Sequence, residues 1–75
     1  MPRLPRISSK KAIKVLENLG FEKIRQTGSH VIMKKMTPDG QIGCVVPLHR
    51  ELKIGTLKGI LKQAQISLEK FIDNL

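Results

Sequence analysis

The chain has 75 residues, 40% of them apolar, with 14 Lys and Arg against 6 Asp and Glu, giving a net charge of +8. That length holds one small domain and no second, and so strong an excess of cations points to a polyanionic or acidic partner such as nucleic acid. The longest apolar run, Cys44–Leu48, is too short to cross a bilayer; Met1–Arg6 lacks the apolar stretch of a signal peptide; and the single cysteine, which makes no internal disulfide, fits a reducing cytoplasm.

In chain order, Met1–Ile7 reads as a mobile basic arm, because Pro2 and Pro5 withhold the N–H groups that regular structure needs. Ser8 or Ser9 can then cap a helix, along which Ala12, Val15, Leu16 and Leu19 recur at i, i+3, i+4 and i+7. Gly20 suits the left-handed position after such a helix, with Phe21 folding back on its last turn. From there the period shifts. Glu22–Gln26 reads as a strand around Ile24, Thr27-Gly28-Ser29 as a turn, and His30–Lys35 as a second strand. Thr37-Pro38-Asp39-Gly40 is a further turn. Gln41–Pro47 is a third strand, with Ile42, Cys44 and Val46 on one face.

Leu48–Gly55 is expected to be a loop, followed from about Thr56 by a helix striped by Leu57, Ile60, Leu61 and Ala64. Ser67 can cap a short last helix carrying Leu68, Phe71, Ile72 and Leu75. The expected fold over residues 1–75 is therefore α+β, in the order α-β-β-β-α with a short extra C-terminal helix. Packing both long helices on one face of a three-stranded antiparallel sheet buries both stripes and leaves the other face open.

With no Trp or Tyr and only two Phe, the chain lacks the aromatic faces on which single-strand readers stack bases, so any RNA is held by charge and shape. Lys10, Lys11 and Lys14 on the first helix, Lys34 and Lys35 near the second turn, and Lys58 and Lys62 on the second helix are the candidate RNA contacts. The alternative is a set of ordinary solvated lysines. The six acids form no close-spaced cluster, and Cys44, His30 and His49 do not reproduce a zinc spacing, so no metal or other cofactor is expected. Cys44 reads as a small core residue.

His30 is the residue best suited to chemistry. RNA carries its own nucleophile in the 2′-OH, and an imidazole can take or return a proton near neutral pH. Residue type and spacing leave two readings, a proton-transfer group or an idle histidine at a strand end. Ser29 and His49 are candidates for a catalytic or phosphate-contacting role, His49 because it exits the third strand and would lie near His30 if the second and third strands pair. Strand parity poses a question: if Ile32 points inward, His30 must lie beyond the packed edge or be turned out by a bulge.

Four segments together resemble one known family. They are Leu19-Gly20-Phe21, Arg25-Gln26-Thr27-Gly28-Ser29-His30, Val46-Pro47-Leu48-His49 and Gly55–Ala64. In this order and spacing they are similar to the HicA toxins of toxin–antitoxin modules, over Ser8 to about Ser67. The resemblance implies a double-stranded-RNA-binding-domain-like fold and a metal-independent mRNA interferase that blocks translation. It makes His30, in the Gly-Ser-His motif, the catalytic residue, gives His49 the place of the family's Pro-x-His histidine, and implies a HicB-type antitoxin that covers the active surface. A basic RNA-binding domain without catalysis is the alternative. Where the family often has Gly after the last Ala of its second helix, this chain has Gln65; a left-handed backbone there costs a side chain about 1 kcal/mol.

Overall fold

The computed structural model describes residues 6–75. Helix α1 (Ser9–Asn18) begins where the Ser8 hydroxyl accepts the Lys11 N–H at 3.1 Å, satisfying one of the donors that a helix start leaves free. It ends at Leu19. Gly20, at φ +100°, takes the left-handed turn, and the Phe21 N–H returns to the Leu16 carbonyl at 2.9 Å. A Cβ on Gly20 would meet only the flexible end of the Lys35 side chain, at 3.2 Å, so it is the left-handed backbone that calls for glycine here.

Strands β1 (Glu22–Thr27), β2 (His30–Thr37) and β3 (Gly40–Pro47) form one antiparallel sheet in the order β1-β2-β3. Gly28-Ser29 is a two-residue hairpin connection, with the positive φ of +55° falling on Gly28. Pro38-Asp39 connects β2 to β3, where the Thr37 hydroxyl donates to the Gly40 carbonyl at 2.8 Å. The β2–β3 register runs without interruption from Thr37–Gly40 to His30–Pro47. The β1–β2 register shifts between Lys23 and Arg25, leaving Ile24 bulged and 54% exposed on the edge strand.

Helix α2 (Ile54–Ala64) starts two residues earlier than expected and buries its whole stripe of Leu57, Ile60, Leu61 and Ala64. Helix α3 (Leu68–Asp73) is capped by Ser67, whose hydroxyl accepts the Lys70 N–H at 3.1 Å. Inward residues of β2 and β3 (Val31, Met33, Cys44 and Val46) share one core with the α1 and α2 stripes and with Phe71 of α3. Both long helices therefore cover the same sheet face, and the other face is open, as expected.

Of the arm expected over residues 1–7, residues 1–5 lie outside the described residues. Ile7 does not behave as an arm: it is buried, and its carbonyl accepts the Leu52 N–H at 2.7 Å in an isolated antiparallel bridge. The expected loop over Leu48–Gly55 is correspondingly pinned, with Leu52 in the core. An apolar side chain at each place repays the ordering of its segment. No helix among the described residues is long and apolar enough to cross a membrane.

Candidate active site

Parity around His30 resolves without a bulge in β2. Val31 and Met33 are the inward residues, each buried, so His30, Ile32 and Lys34 face the open side of the sheet. Their β3 partners, Pro47, Val45 and Gly43, share that side, as do Thr27 and Arg25 on β1. His30 is exposed at the first position of β2. The neighbouring Ser29 hydroxyl lies 3.4 Å from its Nδ1, a long contact that leaves the ring accessible.

The register brings the two histidine segments together. His30 sits opposite Pro47, and the ladder extends one step further where Leu48 N–H donates to the Ser29 carbonyl at 2.7 Å. His49 follows directly and is exposed. Its backbone is held from the other side by α1. The Ser9 hydroxyl accepts the His49 N–H at 2.7 Å and donates to the Pro47 carbonyl, while the Ser9 N–H donates to the His49 carbonyl at 3.1 Å.

This end of the molecule also receives the starts of both long helices. One open groove is lined by Ser8, Ser9, Lys10, Leu48, His49 and Arg50, and a second by His49, Arg50, Glu51, Lys53 and Thr56. Neither α1 nor α2 has an acidic residue in its first turn. Arg6–Glu51, at 3.1 Å, is the one ion pair among the described residues, so Lys10, Lys11, Arg50 and Lys53 have no carboxylate partner there.

The candidate lysines divide accordingly. Lys10 and Lys11 lie at the His49 end, and Lys14 one turn further along α1. Lys34 shares the open face with His30, but Lys35 points the other way, its ammonium 5.9 Å from the centre of the Phe21 ring. On α2, Lys58 lies one turn from the helix start and Lys62 in the last turn. Phe21 and Phe71 are both buried, leaving no aromatic platform for bases.

Cys44 is buried, and burial pushes its thiol up to about 11, the reverse of what a nucleophile needs. Among the described residues no three His, Cys, Asp or Glu side chains gather as metal ligands.

Sequence reading missed Ser9 and Arg50 as parts of this end. The one available signal was that Ser8 suffices as a cap, which leaves the adjacent Ser9 without a local task.

A family model described as the HicA toxin of bacterial toxin–antitoxin matches residues 9–66, a span that contains Ser9, His30 and His49 and stops before α3. No curated protein matches the chain.

Proposed function

The chain belongs to the HicA toxin family of bacterial toxin–antitoxin systems, and on that premise we propose that it cuts RNA as a metal-independent endoribonuclease, with His30 as general acid–base. The neutral imidazole of His30 takes the proton of a ribose 2′-OH as the O2′–P bond forms. The P–O5′ bond then breaks, and the leaving O5′ receives a proton from an imidazolium, with His49 the nearest candidate in sequence and register. The products are a 2′,3′-cyclic phosphate and a 5′-OH, with no net proton gained or lost by the protein over a cycle. Cations from Lys10, Arg50 and Lys53 oppose the negative charge that builds on phosphorus in the transition state.

The observation that carries this reading is the exposed His30 ring on the open sheet face, paired in register with Pro47 beside His49 and the unpaired cations. A second observation concerns Lys10, Lys11 and Lys53. Cations at helix starts oppose the helix dipole. Their position therefore does not serve helix stability and suits an anion brought to that end. The RNA contacts of the proposal are these residues with Lys14, Lys34, Lys58 and Lys62, and Ser29 next to the scissile phosphate. A HicB-type antitoxin, the partner the family implies, would silence the enzyme by covering the open face.

The test is His30→Ala, assayed on labelled RNA in EDTA. The variant should melt as wild type and lose about 10²–10⁴-fold in cleavage rate, together with growth arrest, and wild-type fragments should end in cyclic phosphate. Unchanged cleavage by the variant rejects the assignment. Intact RNA with salt-sensitive binding by wild type makes the chain a non-catalytic RNA-binding domain instead.

A further inference from the structure

We infer that Ser9 is a positioning residue that fixes His49, and Arg50 after it, against the entrance of β2. The inference rests on the nuclease reading above for its catalytic consequence, but not for its geometry.

Ser9 is the one buried polar side chain among the described residues, at 2% exposure. It is not the cap of α1, because the Ser8 hydroxyl already holds the Lys11 N–H. Its hydroxyl is spent instead on two groups about forty positions away. It donates to the Pro47 carbonyl and accepts the His49 N–H at 2.7 Å, and its own N–H donates to the His49 carbonyl at 3.1 Å. A hydroxyl that donates and accepts at once sets a separation and an angle, which a single hydrogen bond does not. The groups it holds flank Leu48, whose N–H is fixed from the opposite side by the Ser29 carbonyl at 2.7 Å.

Residues 47–49 are thus strapped between α1 and the turn that presents His30. Further along, the bridge between buried Ile7 and Leu52 ties down the far end of the same strap, to which the exposed Arg6–Glu51 ion pair adds little. Without these ties, an exposed loop between a strand and a helix would let His49 and Arg50 range over many positions relative to His30. Proton transfer and charge stabilisation both decay steeply with misplacement, so the strap converts a mobile pair into part of one site. Only the Ser9 link reaches the His49 backbone itself.

The experiment compares Ser9→Ala, His49→Ala and the double variant with wild type, well below the melting temperature of each. Ser9→Ala should lose at least tenfold in kcat/KM while still folded, and Ser9→Thr, which keeps the hydroxyl, should recover most of that loss. In the double variant the Ser9 substitution should cost less than it does alone, because the part of its effect that passes through His49 is already gone. In Ser9→Ala the His49 amide should exchange with solvent at least tenfold faster than in wild type, while core amides of β2 keep their protection. Full additivity of the two substitutions, or a wild-type kcat/KM in folded Ser9→Ala, overturns the inference. If Ser9→Ala does not fold, Ser9→Cys, which keeps the volume with a weaker partner atom, carries the same comparisons. Should wild type cut no RNA, the nuclease reading is what has failed, and His49 amide exchange alone decides the positioning: unchanged exchange in the variant then overturns it.

Discussion

Cys44 shows how far environment governs a single side chain here. It sits mid-strand in β3, opposite Met33 on the inward face, and is 3% exposed. Burial disfavours its thiolate, so the folded-state value of about 11 lies above the ordinary 9.0. The unfolded chain therefore gives up that proton first as pH rises. The associated stability is complete below about pH 9 and is lost as pH climbs toward 11, to a limit of about 3 kcal/mol. Lysines titrate in the same range, so the quantity to measure is the stability difference between wild type and Cys44→Ala at each pH. That difference, in favour of wild type at pH 8, should shrink on approach to pH 11; a constant difference would refute the shift. His30, exposed at the start of its strand, shares none of this burial, and the two residues divide the sheet between a sealed face and an open one.

At the scale of elements, the end of α2 is where sequence and backbone disagree most. Gln65 takes φ +57° and ψ +41°, and the Ile66 N–H returns to the Leu61 carbonyl at 3.0 Å. This is the left-handed closure anticipated for the position, made by a residue with a Cβ. Gln65→Gly should raise stability by about 0.5–1 kcal/mol, the relief of the left-handed strain less glycine's added freedom in the unfolded chain. Chemical denaturation would read this as a higher midpoint at unchanged slope, and a lower midpoint would contradict it. The helices and both turns were legible because their signals are local: a stripe, a capping serine, a glycine after the last turn. The histidine segments were legible as pieces, and the two-residue connections fix the register that joins them. Ser9, the Ile7–Leu52 bridge and the outward turn of Ile24 were not legible, since each depends on partners across the fold. Lys34 and Lys35 made one patch in sequence and lie on opposite faces in space, because a strand alternates its side chains.

For the whole molecule, the question is whether the net charge of +8 acts as a cloud or as a patch. The fold extends 32 by 29 by 18 Å, whereas screening at ordinary salt sets in over about 10 Å. Charges at opposite ends are therefore nearly independent, and position counts for more than the total. Lys53 and Arg50 stand beside His49 at the end where both long helices begin. Lys35 is five residues along β2 from His30, about 16 Å in an extended strand, and faces the other side. Arg50→Gln, Lys53→Gln and Lys35→Gln each remove one charge. If RNA phosphates are gathered at the His49 end, the first two should each weaken binding to a single-stranded RNA and lower the slope of log K against log salt by about 0.7. Lys35→Gln should leave that slope unchanged. Titrations between 50 and 200 mM salt, with a His30→Ala background to prevent cleavage, separate the two cases. Equal slope losses for all three variants would mean that RNA responds to the net charge alone, and the clustered cations beside His49 would then have no special part in holding it.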